Sequence, residues 1–546
     1  MNPPPKFQEE YSAKLPALTL LTNLGWSFLS PELALAACGG KADEVVLHQV
    51  LRSELQKRTF TFAGKSYPLS EKAIDNLIAE VCSPALNEGL LTANERLYNH
   101  LLYGISVTEF ADGKKASPTV ALIDWQNPTN NSFVFTEEFT VTRSGGVESR
   151  RPDIVCFVNG IPLVVIEAKR PDGKARSGKG GGPTIDEGIS QSLRNQRHDE
   201  IPLLFAYSQM LLSINGNEGR YGTCGTPAKF WAAWREEDIS DAEMYAIKNK
   251  TLKDEQLATL FNHRPAKDLD WYQSLTAAGE LAVTGQDQLL ISLLSPARLL
   301  EMTRYFTLFD KKAGKIIARY QQVFGIKRLI ERINTRSSTG GREGGVIWHT
   351  TGSGKSFTMV FLSKALILHE SLKQCRIVVV TDRVDLETQL SKTFASGGEL
   401  ADKKDKEAAM ATSGKRLAEQ IGKGTERIIF SLIQKFNSAT KQPECVNHSP
   451  DIIVLIDEGH RSQGGENHIR MKQALPNAAF VAFTGTPLLK DDKTTNKFGP
   501  IVHAYTMQRA VEDQTVTPLL YEERIPDLDV NERAIDSWFE RITEGL

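Results

Sequence analysis

A glycine-rich loop between an apolar strand and an apolar helix constrains the fold of this chain more than any other feature. Residues 348–356 read WHTTGSGKS, with the apolar run 345–348 leading into them and the apolar segment 357–368 following. This order predicts a phosphate-binding loop, because glycines let backbone N–H groups approach phosphates and the helix N-terminus adds partial positive charge. His349 replaces the usual first glycine, whereas TGSGKS is intact. The residues expected to bind ATP are Thr351, Gly352, Ser353, Gly354, Lys355 and Ser356.

A second apolar run, 452–456, ends in Asp457 and Glu458. An uncharged run of this kind is typical of a strand buried in a parallel sheet. With the loop above, Lys355 would bridge the β- and γ-phosphates of ATP, and Ser356 and Asp457 would lie at its Mg²⁺. Glu458 would orient or deprotonate the attacking water.

The rest of the C-terminal half alternates apolar strands with helical segments. The strand predicted at 478–483 ends in Thr484, Gly485 and Thr486, a turn of small and hydroxyl residues that can sense hydrolysis and pass it to another surface. This rhythm predicts an α/β fold with a doubly wound parallel sheet. The other predicted elements are strands at 345–348, 376–381, 427–432 and 452–456, an exposed helix at 401–423 and an edge strand at 519–523.

The N-terminal half has a helical start, for example at 47–58 and 71–87, and then strand-like runs at 119–123 and 132–142. Asp153 and Glu167 flank Asn159-Gly160, and Asn-Gly between apolar runs is the strongest short signal for a hairpin. The two carboxylates would then face each other across adjacent strands, and Lys169 would share a face with Glu167. Two oxygen ligands and an ammonium on one surface can hold Mg²⁺ and activate a water against a phosphodiester.

Composition excludes several other classes of protein. The chain has 546 residues, 40% of them hydrophobic and 24% charged, so it can bury several cores and is not disordered or fibrous. Six cysteines in this length suggest reduced thiols, and the absence of a long apolar segment argues against a membrane. We therefore expect a cytoplasmic protein. The net charge of −2 neither favours nor excludes DNA.

These motifs resemble two known signatures. Asp153, Glu167 and Lys169 resemble the PD-(D/E)xK nucleases, and Glu10, on a predicted N-terminal helix, is either a further acidic member or a solvated helix residue. The TGSGKS, DEGH and TGTP elements resemble superfamily 2 helicases. That resemblance implies that Gln322, favoured over Gln321, reads adenine. It also implies DNA contacts by Asp382, Arg383, Gln434 and Lys435.

In this order the signatures resemble the restriction (R, motor and nuclease) subunit of type I restriction–modification enzymes. The implied fold is a PD-(D/E)xK nuclease domain at 1–265, a connector at 266–298, a RecA-like helicase lobe at 299–525 and a further segment at 526–546. The family also has a Gln-x-x-x-Tyr helix, where this chain has Gln191 but Asn195 in place of Tyr. No second helicase lobe follows within these residues, so we expect the chain to be a fragment of a longer protein.

The resemblance implies an ATP- and Mg²⁺-dependent enzyme that translocates duplex DNA and cleaves unmodified DNA far from its recognition site. Its partners would be double-stranded DNA and the methylation and specificity subunits, with S-adenosylmethionine needed only by the methylation subunit. One alternative is a repair or remodelling translocase whose nuclease-like domain does not cleave. Another is a nucleotide-driven switch that moves protein rather than DNA.

Overall fold

Two six-stranded sheets organise the chain, one in each half. The computed structural model describes residues 8–171, 184–310, 312–338, 340–381, 391, 409–457, 465–486, 498–517 and 532–544. The strands within these residues are β1 (Ser27–Phe28), β2 (Thr59–Phe62), β3 (Lys65–Pro68), β4 (Ile105–Ser106), β5 (Glu109–Ala111), β6 (Lys114–Ala116), β7 (Thr119–Val120), β8 (Phe133–Glu137), β9 (Val141–Thr142), β10 (Ser149–Arg150), β11 (Ile154–Val158), β12 (Ile161–Ala168), β13 (Met210–Ile214), β14 (Gly219–Gly222), β15 (Thr307–Asp310), β16 (Gly314–Ile317), β17 (Gly345–His349), β18 (Arg376–Thr381), β19 (Ile428–Leu432), β20 (Ile452–Asp457), β21 (Ala479–Thr484) and β22 (Ile501–Tyr505).

Helices cover both sheets. A π-helical turn, Glu10–Lys14, runs directly into the first α-helix. The α-helices of the described residues are α1 (Leu15–Asn23), α2 (Pro31–Ala37), α3 (His48–Gln56), α4 (Glu71–Val81), α5 (Leu90–Tyr103), α6 (Thr184–Asn195), α7 (Pro202–Tyr207), α8 (Asp241–Lys248), α9 (Asp254–Phe261), α10 (Ala266–Ala277), α11 (Gly285–Leu294), α12 (Pro296–Tyr305), α13 (Tyr320–Asn334), α14 (Lys355–Leu368), α15 (Gly414–Lys423), α16 (Ile433–Ala439), α17 (Gly465–Ala474), α18 (Met507–Glu512) and α19 (Glu532–Thr543).

The N-terminal sheet is mixed and has the order β1-β8-β11-β12-β13-β14. β11 and β12 form an antiparallel hairpin in which Ile154 pairs with Ile166, and β13 then runs parallel to β12. Every residue of β11, β12 and β13 is buried, since helices cover both faces. This burial explains why these strands are continuous apolar runs rather than alternating ones.

The C-terminal sheet is entirely parallel and has the order β19-β18-β20-β21-β17-β22. It confirms the predicted α/β architecture of this half. The five predicted strands match β17 to β21 to within one residue at each end. Because the strands are parallel, the loops after their carboxyl ends gather at one edge of the sheet, which is where ligands bind in folds of this kind.

Several predicted elements differ from the structure. The run 132–142 is broken into β8 and β9, because Glu138 adopts a positive φ of 46°. The predicted connector 266–298 is helical: α11 is almost wholly buried, so it shows no amphipathic period in the sequence. The predicted exposed helix is shorter, and α15 buries Leu417 and Ile421. The predicted edge strand at 519–523 lies outside the described residues, and β22 forms the edge beside β17.

Two further findings concern the cysteines and the lengths of the helices. All six cysteines are free thiols; five are buried and Cys82 is half-buried. In the portion of the chain that the structure describes, no helix is both long and apolar enough to cross a membrane.

Candidate active sites

The Asn159-Gly160 turn joins β11 to β12, and a bulge between Cys156 and Phe157 then shifts the pairing of the two strands by one residue. Both residues of the turn have positive φ, 51° and 83°, as a two-residue type I′ hairpin turn requires. The Asn159 side chain is buried and accepts the Ser132 N–H at 2.7 Å, which fixes the turn against the loop before β8. The paired register continues outward from Ile154 and Ile166, so Asp153 and Glu167 stand opposite each other at the open end of the hairpin.

This open end brings the three predicted nuclease residues together. The Lys169 Nζ lies 3.4 Å from Asp153 Oδ2 and 3.9 Å from Glu167 Oε2. Asp153 Oδ2 also accepts the Ala168 N–H at 2.8 Å, and the Lys169 ammonium donates to the Ala168 carbonyl at 2.6 Å. We call Asp153, Glu167 and Lys169 the carboxylate–lysine centre. All three side chains are mostly buried, so their charges interact strongly.

Helix α6 supplies two further contacts to this centre. Gln191 Nε2 donates to Glu167 Oε2 at 2.6 Å, and Asn195 Nδ2 lies 3.3 Å from Glu167 Oε1. The helix can approach this closely because position 188 is glycine: a Cβ there would lie 2.2 Å from Ser213 Oγ and 3.5 Å from Glu167 Cβ. Gly188, Gln191 and Asn195 lie on one helical face at spacings of three and four residues. The structure thus places Asn195, where the family has Tyr, on the same carboxylate as Gln191.

Burial dominates the electrostatics of the carboxylate–lysine centre. Glu167 is 0% exposed, and burial followed by repulsion from Asp153 raises its pKa well above the ordinary glutamate value. Burial alone would lower the pKa of Lys169, but attraction to Asp153 and Glu167 outweighs it and raises that pKa. The ammonium is therefore held charged, while one proton tends to stay on the buried carboxylate when no cation is bound.

Glu10 lies away from the carboxylate–lysine centre, whereas the preceding residue, Glu9, lies towards that centre. Glu10 pairs with Arg264 and with Lys14, whose Nζ is 2.9 Å from Glu10 Oε2. Burial raises the pKa of Glu9, and that carboxyl also senses the charges of Lys169 and Asp153. The N-terminal helix therefore brings an acidic side chain into the field of the centre, but it is the residue before the predicted one.

The donors at the centre suit a hard divalent cation. Asp153 and Glu167 offer carboxylate oxygens, and the Ala168 carbonyl lies on the same edge, where it now accepts a hydrogen bond from Lys169. Oxygen ligands of this kind are what Mg²⁺ prefers, with water completing its octahedron. Within the described ranges, however, no three His, Cys, Asp or Glu side chains gather at metal-binding distances. The fit is thus to an ion held by two carboxylates and water.

The phosphate loop connects β17 to α14. Gly352 and Gly354 have φ of 85° and 88°, which only glycine adopts readily. The Ser353 hydroxyl donates to the Thr350 carbonyl at 2.6 Å, and the Thr350 N–H donates to the Tyr505 carbonyl of β22 at 2.9 Å. The loop residues Thr351 and Gly352 are exposed, and α14 begins at Lys355, so its free N–H groups face the same space. This is a geometry that accepts phosphate.

The ends of β20 and β21 lie beside this loop. β21 lies between β17 and β20, pairing Trp348 with Thr484 and Asp457 with Phe483. A Cβ at Gly485 would lie 2.9 Å from Thr351 Oγ1 and 3.3 Å from Lys355 Nζ. The structure therefore brings the first two residues of the TGTP turn against the phosphate loop, and Thr486 follows with its N–H donating to Thr484 Oγ1 at 3.2 Å. Asp457 is buried at the end of β20, and Glu458 lies outside the described residues.

A cavity of about 450 Å³ adjoins the phosphate loop. Gln322 lines it, and its Nε2 donates to the Gly354 carbonyl and to Thr358 Oγ1, both at 3.2 Å. Gln321 points elsewhere, and its buried amide has no hydrogen-bond partner among the described residues. The other walls come from the phosphate loop, from Phe357, from β16 and from the segment holding Thr226 and Phe230. An aromatic and apolar cavity beside a phosphate loop is suited to a nucleoside base.

The predicted DNA-contacting residues are placed only in part. Asp382 and Arg383 lie outside the described residues. Gln434 is exposed on α16, just after β19, whereas Lys435 Nζ donates to the Ala411 carbonyl at 2.7 Å. The contacts of Lys435 are thus with the chain itself in this state.

Sequence reasoning missed three features of the two sites. The contact of Asn195 with Glu167 was not foreseen, although its i+4 spacing from Gln191 points to it. The predicted acidic residue was Glu10 rather than Glu9. Glu10–Lys14 form a π-helical turn, so a 3.6-residue period does not predict which of the two side chains faces the centre. Phe230 lines the cavity beside the phosphate loop, and this contact depends on packing between distant segments that no local sequence pattern reveals.

Comparison with known proteins shows which families the two halves of the chain match. Residues 6–230 match the family described as type I restriction enzyme R protein N terminus, and residues 321–546 match the SWI2/SNF2 ATPase family. The chain is 31% identical to the type I restriction enzyme HindI endonuclease subunit of Haemophilus influenzae, over 96% of this chain and 47% of that one. Over nearly its whole length the chain is therefore similar to a type I restriction enzyme endonuclease subunit.

A second relative matches the chain over a similar share of its length. The putative type I restriction enzyme MjaIXP endonuclease subunit of Methanocaldococcus jannaschii is 30% identical over 99% of this chain and 48% of that one. The chain thus spans about half the length of the curated relatives it matches. Among solved structures, a nuclease-deletion mutant of the type ISP enzyme LlaGI with a DNA substrate mimic has a TM-score of 0.27 at 18% identity, covering 42% of this chain and 23% of that one.

Proposed function

We propose that this chain carries the nuclease and motor functions of a type I restriction enzyme. In this proposal the assembled enzyme uses ATP to translocate double-stranded DNA and cleaves unmodified DNA away from its recognition site. The observation that carries the proposal is that one chain holds both a carboxylate–lysine centre and a phosphate loop with Asp457 and Gly485 beside it. Phosphodiester cleavage and ATP-driven movement each need one of these sites.

The carboxylate–lysine centre is the proposed nuclease site. Asp153 and Glu167 would hold Mg²⁺, which supplies an activated water and neutralises charge on the scissile phosphate. Lys169 would orient that water and stabilise the charge that develops on the phosphate, since its ammonium lies within 4 Å of both carboxylates. Gln191 and Asn195 would hold Glu167 in position as accessory residues. We propose that this N-terminal region is a PD-(D/E)xK nuclease domain.

The phosphate loop is the proposed motor site. Its backbone would cradle the phosphates of ATP, Lys355 would bridge the β- and γ-phosphates, and Gln322 would read adenine in the adjoining cavity. Ser356 and Asp457 would hold the Mg²⁺ of the nucleotide, and Glu458 would orient the attacking water. Because Gly485 is packed against Thr351 and Lys355, the TGTP turn would respond to the state of the nucleotide.

The proposed partners follow from the family rather than from the contacts of this chain. They are double-stranded DNA, with Asp382, Arg383, Gln434 and Lys435 as candidate contacts, and the methylation and specificity subunits of the complex. The cofactors are ATP and Mg²⁺, and S-adenosylmethionine acts only through the methylation subunit.

The proposal is tested with the complete enzyme assembled with its methylation and specificity subunits. Unmethylated plasmid bearing the recognition site is incubated with ATP and Mg²⁺, and wild type is compared with Asp153→Ala and Lys355→Ala. We expect wild type to linearise the plasmid, Asp153→Ala to consume ATP without cutting, and Lys355→Ala to do neither. Methylated plasmid is the matched control and should stay intact.

Two results would overturn parts of this proposal. If wild type consumes ATP on DNA but never cuts, the chain is a repair or remodelling translocase and its N-terminal centre does not cleave. If ATP consumption is indifferent to DNA, the motor acts on protein instead.

A further inference from the structure

A buried line of polar side chains leads from the phosphate loop to the N-terminal half of the chain. His349, the last residue of β17, is fully buried, and its Nε2 lies 2.9 Å from Nδ1 of His503 on β22. The His503 Nε2 lies 3.2 Å from Glu237 Oε1, and Glu237 Oε2 lies 2.6 Å from the Arg328 guanidinium on α13. Four side chains from four separate segments are thus in series.

The hydrogen bonds of this line orient its two imidazole rings. Burial opposes ionisation of Glu237, but the hydrogen bond from His503 and the charge of Arg328 outweigh it and lower its pKa, so the carboxylate accepts from His503 Nε2. With its Nε2 facing Glu237, His503 presents Nδ1 to His349, whose Nε2 lies 2.9 Å away. Burial, His503 and Lys355 together lower the pKa of His349. Each ring is thereby held in one orientation.

Glu237 reaches this position because its segment is anchored to the C-terminal half. It is the middle of three consecutive acids. Glu236 lies 3.5 Å from the Arg298 guanidinium, and Asp238 lies 3.3 Å from the same group and also pairs with Lys327. These pairs fix the backbone on both sides of Glu237 against α12 and α13. The contact with His503 is therefore supported rather than incidental.

The loop end of the line is equally well supported. β22 holds the first residues of the phosphate loop twice, through the contact of His503 with His349 and through the Tyr505 carbonyl that accepts the Thr350 N–H. The Tyr505 ring also lies 6.0 Å from the His349 ring. A shift of the His349 ring would therefore move the start of the loop whose far end is Lys355.

We propose that Glu237, His503 and His349 form a positioning relay that sets the phosphate loop for ATP, with Glu237 supplied from the N-terminal side of the chain. This inference rests on the proposed ATP site. None of the three residues touches the nucleotide; they act through the backbone that follows His349. The substitution Glu237→Gln offers His503 either a donor or an acceptor, so both tautomers become possible and the loop loses its fixed starting point.

The experiment measures equilibrium binding of a fluorescent ATP analogue with Mg²⁺ to the 546-residue chain. Glu237→Gln and His503→Gln should each weaken binding about fivefold, the size of one net hydrogen bond. The double variant should be no weaker than either single one, because both interrupt the same line. Glu236→Gln is the matched control: it removes a neighbouring acid that has no contact with His503, while the pairs of Asp238 with Arg298 and Lys327 still hold the segment, and its effect should add to that of His503→Gln.

A second readout separates positioning from mere stability. In the assembled enzyme, Glu237→Gln should raise the KM for ATP about fivefold while kcat stays within about twofold, and its thermal melt should match that of Glu236→Gln. If the 546-residue chain does not bind ATP, or if Lys355→Ala binds it equally well, the ATP site itself is refuted and the relay falls with it. If wild type binds and Lys355→Ala does not, but Glu237→Gln behaves like Glu236→Gln, only the relay is refuted.

Discussion

Replacing Gly188 by alanine examines how closely α6 approaches the carboxylate–lysine centre. The new Cβ would lie 2.2 Å from Ser213 Oγ and 3.2 Å from Ser213 Cβ, against an ordinary contact of about 3.4 Å or more. Ser213 cannot simply rotate away, because its hydroxyl donates to the Ile185 carbonyl at 2.9 Å and is fully buried. Either that hydrogen bond breaks or α6 moves outward, taking Gln191 and Asn195 away from Glu167.

The expected change in the free energy of unfolding is the difference between opposing contributions. Overpacking of a buried contact costs about 1–3 kcal/mol, and a lost buried hydrogen bond costs about 1 kcal/mol. Alanine is favoured over glycine inside a helix by about 1 kcal/mol, which offsets part of this. We therefore expect Gly188→Ala to lower the free energy of unfolding of the N-terminal region by about 1–3 kcal/mol. For a unit of about 150–250 residues this is a fall in melting temperature of about 2–12 °C.

The assay is thermal unfolding by circular dichroism, together with DNA cleavage by the assembled enzyme. Cleavage should fall more than ATP consumption, since the added Cβ meets Ser213 and Glu167 rather than a residue of the phosphate loop. Gly188→Ala combined with Ser213→Ala is the control: removing Oγ leaves only the 3.2 Å contact, so the double variant should be less destabilised than the sum of the two single variants. A melting temperature equal to or above that of wild type for Gly188→Ala would refute the close packing argued here.

Three other perturbations have definite expected outcomes. Because the folded-state pKa of Glu167 is raised, the stability that its protonated carboxyl contributes is complete below about pH 4.5 and is lost as pH rises through the folded-state pKa. In EDTA, Glu167→Gln should therefore melt at a higher temperature than wild type at about pH 8. The difference between the two melting temperatures should close as the pH falls towards about 4.5. Gly485→Ala would push against Thr351 and Lys355, and should weaken binding of the ATP analogue about tenfold without lowering the melting temperature by more than a few degrees. Lys355→Ala should abolish that binding and leave the melt unchanged, and normal affinity in this variant would remove the loop from the ATP site.

The features readable from the sequence are those set by local physics. The strand predicted at 452–456 is Ile452–Asp457 in the structure. The turn itself followed from Asn159-Gly160, but the bulge between Cys156 and Phe157, which shifts the pairing by one residue and brings Asp153 opposite Glu167, did not. The parallel strands of the C-terminal sheet were readable because burial on both faces makes them uniformly apolar.

The features that escaped the sequence depend on contacts between distant segments. α11 is buried on all sides between other elements, so the same burial that stabilises it removes its helical period. His349 could be noticed only as a departure from the phosphate-loop pattern, since its partner His503 lies 154 residues away. The choice between Gln321 and Gln322 likewise depends on packing: Gln322 contacts the Gly354 carbonyl and Thr358, which favours it as the proposed adenine contact.

One segment, 226–238, accounts for the most distant of these contacts and joins the two halves of the chain. Its Phe230 lines the cavity beside the phosphate loop, and its Glu237 reaches His503 on the strand that buttresses the same loop. The segment leaves β14, which pairs with β13, and β13 pairs with β12, where Glu167 stands opposite Ser213. A displacement of this segment would therefore alter the walls and the support of the proposed ATP site together. It would also reach α6, which packs against Ala228–Phe230 of the segment and contacts Glu167 through Gln191 and Asn195. The physical connection between the two proposed sites thus runs through this segment and α6.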